Sequence, residues 1–257
     1  MIIETLEEMR IFERFNNISI LPECFFAIRV DGRSFHSEVE RMKMKRPFDK
    51  KLRRAINKAV KVVMKDFGSI FAYTESDEVT FLFPKTTNLF DRRLEKLVSL
   101  VASKMSVEFA KSKITIGTSP TFDARVLELP TDELVIKCFQ WRQMDSHRNA
   151  ISTQCFWRLV KSGETKRNAT RILKGMKDSD KNELLFSRLN CNYNNTPEWT
   201  RKGTMFFIKE YVKKGFNPVK NQTEKAIRKK IVCEDIKVFF REDNLDKWLN
   251  KGIKILM

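Results

Sequence analysis

The sequence predicts an α+β fold built on a ferredoxin-like βαββαβ sheet, and three observations predict it. Short apolar runs alternate with long amphipathic stripes in the order strand, helix, strand, strand, helix, strand. The two middle strands meet at the polar tetrad Glu75-Ser76-Asp77-Glu78, the mark of a hairpin. After Pro130 the chain reads largely as helix. We expect a sheet domain over 1–130 and a mainly helical extension over 131–257 packed on it, with a basic end.

Each element follows from its side chains. Residues 4–16 read as a helix with Leu6, Met9 and Phe12 facing inward. Residues 25–31 read as a strand with an apolar face of Phe26, Ile28 and Val30. Its other face carries Ala27 and Arg29 and ends at Asp31. Asp49 is a good N-cap for a helix whose stripe runs through Leu52, Ile56, Val60, Val63 and Phe67 to a stop at Gly68. The runs 70–74 and 79–83 form the hairpin. Leu94, Leu97, Val98, Val101, Met105 and Phe109 mark a second helix, and 121–129 the last strand. In the extension, 203–212 reads as a late strand. Lys225, Arg228, Lys229 and Lys230 form the basic run, followed by a helix-like stretch with Trp248.

Composition narrows the function. Of 257 residues, 50 are Lys or Arg and 33 Asp or Glu, a formal net charge of +17. Such an excess suits a polyanionic partner, because each phosphate contact releases counterions; a lysine-rich solvated surface is the plainer alternative. The five cysteines form no CxxC pair, and only His36 and His147 could join them, which argues against a standard zinc site. Scattered cysteines fit a reducing compartment. Without a signal-like apolar segment or a run of about 20 apolar residues, the chain reads as cytoplasmic, with an organelle matrix as the other option and no membrane partner.

The chemistry concentrates at the acidic strand ends. Asp31 ends the first strand, and Asp77 and Glu78 sit at the hairpin tip. On this topology the two tips are neighbours, so the acids can converge. Magnesium is commonly held by one or two carboxylates plus substrate phosphates, and two such ions about 3.5–4 Å apart can clamp the attacking and leaving oxygens of phosphoryl transfer. Gly32 lets backbone approach a phosphate or metal. Arg33, Ser34, His36 and Ser76 supply donors for phosphate oxygens. Singly, Asp31-Gly32 reads as a turn and Asp77-Glu78 as a solvated tip; jointly they favour a metal site.

These residues carry a resemblance. Arg29-Val30-Asp31-Gly32-Arg33-Ser34-Phe35-His36 and Phe71-Ala72-Tyr73-Thr74-Glu75-Ser76-Asp77-Glu78 resemble signatures of the tRNA-His guanylyltransferases and guanylyltransferase-like proteins. Trp141-Arg142-Gln143, Cys155-Phe156-Trp157, Asp180-Lys181-Asn182-Glu183 and Asn192-Tyr193-Asn194-Asn195 match in the same order. The resemblance implies a polymerase-palm sheet and 3′-to-5′ nucleotide addition to the 5′ end of tRNA, using two Mg2+ ions. GTP and ATP would be substrates, and the assembly a homotetramer, a dimer of dimers. It implies that Asp31 and Asp77 ligate both ions, Gly32 through its carbonyl, with Glu78 as a supporting acid. It places Arg33, Ser34, Phe35, His36, Arg46 and Ser76 along the triphosphate. It sets Lys181, Asn182, His147 and Asn149 near RNA or nucleotide.

Three stretches depart from the eukaryotic pattern: Arg46-Pro47-Phe48-Asp49, Phe122-Asp123-Ala124-Arg125, and His147-Arg148-Asn149-Ala150-Ile151-Ser152-Thr153. The last two are similar to the guanylyltransferase-like branch, which implies template-dependent 5′-end repair beside guanylate addition to tRNA-His. Two other classes stay open: a non-catalytic RNA-binding protein on a ferredoxin-like sheet, and a different palm enzyme such as a nucleotide cyclase. Trp141, Trp157 and Trp199 read as packing residues, and His147 equally as a capping or surface histidine.

Overall fold

The computed structural model describes residues 6–217 and 222–240; the stretch around Trp248 lies outside them. The chain enters through a 3-10 helix, Leu6–Phe12, where an inward-facing helix was expected. Met9 and Phe12 stand 50% and 57% exposed. Other helices already cover both faces of the sheet, so this stripe has no core to enter.

β1 (Phe25–Gly32) is followed by the short α1 (Phe35–Arg41) and by α2 (Lys50–Phe67). Asp49 caps α2 by accepting from the Lys51 amide at 2.6 Å, and Gly68 ends it in the left-handed region, φ 72°. β2 (Phe71–Glu75) and β3 (Glu78–Phe83) form the hairpin. α3 (Leu94–Ala110) and β4 (Phe122–Leu129) complete the expected unit. Beyond it come α4 (Asp132–Lys161), α5 (Lys166–Leu173) and α6 (Asp178–Glu183). β5 (Thr204–Asn217) and β6 (Gln222–Asp235) follow.

The sheet runs β4-β1-β3-β2-β5-β6, with every neighbouring pair antiparallel. The first four strands have the predicted ferredoxin-like order. The face formed by Phe26, Ile28 and Val30 packs on Ile56, Val60 and Val63 of α2 and on Leu97, Val101 and Phe109 of α3. Helices on one face alone would leave Phe25, Ala27, Phe71, Tyr73 and Leu82 bare. Instead, Val135, Cys138 and Phe139 of α4 bury them in a second core. The expected late strand is β5, which pairs with β2 only over residues 204–207. The basic run lies on β6, the strand partner of β5, so the extension adds two strands to its helices. Among the described residues, no helix is long and apolar enough to cross a membrane.

Candidate active site

β1 and β3 are in register with Val30 opposite Val79, so the end of β1 meets the hairpin tip. The turn residue Ser76 takes a left-handed conformation, φ 56°, and its hydroxyl donates to Asp77 Oδ1 at 2.7 Å. A Cβ on Gly32 would lie 2.8 Å from Asp77 Oδ2 and would overlap the Phe35 ring. Only glycine lets the end of β1 come this close to the second acid.

Burial pushes the Asp77 carboxyl up to about 6; the Ser76 hydrogen bond opposes the rise, and the charge of Asp31 adds to it. Asp31 and Asp77, neighbours at the mouth of the cleft, make a hard-oxygen donor set. That set suits a divalent cation, which would offset the repulsion. Among the described residues, no group of three or more His, Cys, Asp and Glu side chains converges as a self-sufficient metal cage. An ion held here would draw its remaining ligands from water and substrate phosphate, as magnesium does.

The acids open onto a cleft of about 800 Å³ between the sheet end and α4, α5 and α6. Asp31, Phe35, His36, Arg46, Ser76, Asp77, Glu78, Asn149 and Lys181 all line it, so most of the predicted residues meet. Phe35 is itself buried against Phe109 and Phe122, with ring centres 5.6 and 5.7 Å away. Arg46 donates to the His36 carbonyl at 2.9 Å and lies over the Trp157 ring at 4.9 Å. Partial burial and then Arg46 lower the His36 pKa, which favours a neutral imidazole.

Other predicted residues stand elsewhere. Ser34 turns the chain into α1 with φ 49°, and the Arg33 amide is tied to the Thr121 carbonyl at 2.9 Å. Arg33 and Ser34 are accordingly exposed and do not form the cleft wall. Asn182 is exposed on α6. His147 and Asn149 cannot both face the cleft, because two residues on a helix are about 200° apart. His147 packs edge-on against Phe239 at 5.0 Å, outside the cleft. Glu78 is engaged: Arg142 donates to its two oxygens at 2.7 and 2.6 Å.

The sequence reading missed part of the wall. Arg142, Ser146, Thr153 and Trp157 line the cleft and, with Asn149, recur every three or four residues along α4. That polar stripe is a legible signal, obscured by the apolar stripe on the opposite side of the helix. Glu75 was missed too. Burial pushes its carboxyl up to about 8; hydrogen bonds from Tyr73 and Ser146 oppose the rise, and the charge of Glu78 adds to it.

The family model described as tRNAHis guanylyltransferase matches residues 6–130, and that described as Thg1 C terminal domain matches 133–245. A Debaryomyces hansenii tRNA(His) guanylyltransferase is 38% identical over 89% of this chain and 91% of its own. The Saccharomyces cerevisiae tRNA(His) guanylyltransferase crystal structure has a TM-score of 0.69 at 30% identity, covering 76% of this chain and 90% of that one. A bacterial tRNA(HIS) guanylyltransferase-like protein in complex with ATP shares the fold, with a TM-score of 0.75 at 22% identity over 99% of this chain and 100% of that one. With acids, cleft and both family regions in place, the chain belongs to the tRNAHis guanylyltransferase family of nucleotidyltransferases.

Proposed function

We propose that the protein adds nucleotides in the 3′-to-5′ direction to the 5′ end of tRNA, in 5′-end repair, guanylate addition to tRNA-His, or both. The observation that carries this reading is the approach of Asp77 to Gly32 and Asp31 at the mouth of a cleft large enough for a nucleotide. Asp31, Asp77 and the Gly32 carbonyl would hold two magnesium ions. When bound, these would stabilise charge on the transferring phosphate and sharpen the attacking hydroxyl.

The chain's own residues do the remaining work. Ser76 fixes the Asp77 carboxylate. Arg46 presents a cation beside the acids and, with His36 and Trp157, borders the space for a triphosphate of GTP or ATP. Lys181 adds a second cation on the α6 side. Arg142 neutralises Glu78, which keeps a third negative charge from opposing an anionic substrate. A binding protein gains nothing from carboxylates buried beside RNA, which weighs against that alternative. For assembly we propose a homotetramer. The exposed Phe12, Phe15 and Leu21 near the N-terminus offer apolar surface for it, and light scattering of the purified chain checks it.

The test is a 5′-extension assay with magnesium, offering intact tRNA-His and a tRNA lacking its first nucleotide, each as monophosphate and triphosphate. Restoration set by the opposing acceptor-stem base supports repair. A single guanosine on tRNA-His alone supports maturation. Incorporation into neither substrate overturns the proposal.

A further inference from the structure

Three cavities follow one another from the cleft to the outer side of α2. The catalytic cleft shares Arg46, Phe48 and Ser76 with a chamber of about 50 Å³. That chamber shares Arg53, Asn57 and Trp199 with a third cavity of about 490 Å³. Phe48 and Trp199, both lining the chamber, meet edge to face with ring centres 6.0 Å apart.

The third cavity has an uneven polar inventory. Lys50, Arg53, Arg54 and Asn57 of α2 form one wall, and Trp199 and Asp235 stand on the other. Arg53 is partly spent: it donates to Asp235 and to Thr204 and lies over Trp199 at 4.9 Å. Its Nε and the Asn57 Oδ1 are buried with no hydrogen-bond partner. Buried polar atoms left unpaired are rare in folded proteins, and here a donor and an acceptor occur on one wall. Lys50 and Arg54 are exposed, and neither forms an ion pair with a described residue. Asp235, the one acid among the described lining residues, is already bonded to Arg53.

Two features match parts of a nucleotide. Cations with no ion-pair partner among the described residues suit a phosphate. An aromatic wall suits the face of a base. We propose that this cavity is a second nucleotide pocket, which holds one nucleotide of the RNA strand whose end occupies the cleft. The proposal rests on the reading that the substrate is RNA. A backbone phosphate needs only the cations, whereas a triphosphate carrying magnesium would find no free carboxylate among the described lining residues. The 50 Å³ chamber is too small to pass a nucleotide from the cleft, so the occupant arrives from outside.

The test is equilibrium binding to the full chain, without turnover, of labelled tRNA and separately of GTP. The variant is Lys50→Glu/Arg54→Glu, with Lys50→Gln/Arg54→Gln as a milder form and thermal melting as the check on folding. The tRNA Kd is expected to rise roughly 10-fold or more, and the slope of log affinity against log salt to become shallower by about 1 or more. GTP affinity should hold. An unchanged tRNA Kd and salt slope in the folded variants would overturn the proposal, as would a loss confined to GTP. RNA binding lost in these variants of a chain that transfers no nucleotide would count against the catalytic reading and in favour of this one.

Discussion

Arg142 closes on Glu78 with two parallel hydrogen bonds, Nε to Oε1 at 2.7 Å and Nη2 to Oε2 at 2.6 Å, and reaches Asp145 at 3.0 Å with the same Nη2. The guanidinium side chain is 5% exposed. This joins α4 of the extension to the hairpin tip of the sheet, and so ties the two halves of the chain together beside the active site. Removing one partner of a buried pair leaves the other charge uncompensated. Arg142→Ala is therefore expected to destabilise the fold by about 3–5 kcal/mol. Arg142→Met with Glu78→Gln should recover much of that loss, because no lone charge remains. Urea unfolding of the single and double variants measures both; equal losses would show that the stranded Glu78 charge is not what destabilises the single variant.

Asp31→Asn and Asp77→Asn are expected to lower nucleotide incorporation on the order of 1000-fold or more, the scale of the several kcal/mol that metals contribute to charge stabilisation. Both should retain the fold. Asp77→Asn should even melt higher in metal-free buffer, since burial and the neighbouring Asp31 already oppose its negative charge. Activity near the parent level in either purified variant would remove these acids from the mechanism.

Gly32→Ala tests the close approach without touching an acid. The new methyl would sit 2.8 Å from Asp77 Oδ2 and would overlap Phe35. Either the carboxylate or the ring must shift, at a cost of about 1–3 kcal/mol for an overpacked site. The expected signature is a loss of kcat well beyond what the thermal shift explains. A variant that loses stability alone would mean that the Asp77 position is not critical.

The first four strands were legible because each is short, apolar and separated from the next by a helix stripe or a polar turn. The convergence of Asp31 and Asp77 followed from that strand order. What sequence reading missed has physical reasons. β6 carries Lys225, Arg228, Lys229 and Lys230, which leave Ala226, Ile227 and Ile231 apolar over 225–231 with no period-two alternation to read. α4 is apolar on one side for the sheet and polar on the other for the cleft, so Arg142, Ser146 and Thr153 look like an ordinary solvated face. The resemblance sets His147 near RNA or nucleotide, yet the turn of the helix packs it against Phe239. Glu75 looked like part of a solvated tip, but Tyr73 and Ser146 enclose it.

That enclosure makes Glu75 the basis of a pH prediction. Its pKa rises from 4.5 to about 8 on folding, so between these values the native state binds more protons than the unfolded chain. Stability changes with pH in proportion to protons bound by the unfolded state minus those bound by the native state. The difference is negative here, and the metal-free protein should lose stability as pH rises from about 5 to 8. Glu75→Gln has no proton to lose. It is expected to flatten this decline and to be the more stable form at pH 8, by an amount on the order of a few kcal/mol. The check is urea unfolding of both proteins across that range in chelator. A parent chain whose stability holds level to pH 8, or a variant that declines equally, would show that water or a local rearrangement solvates the Glu75 carboxylate.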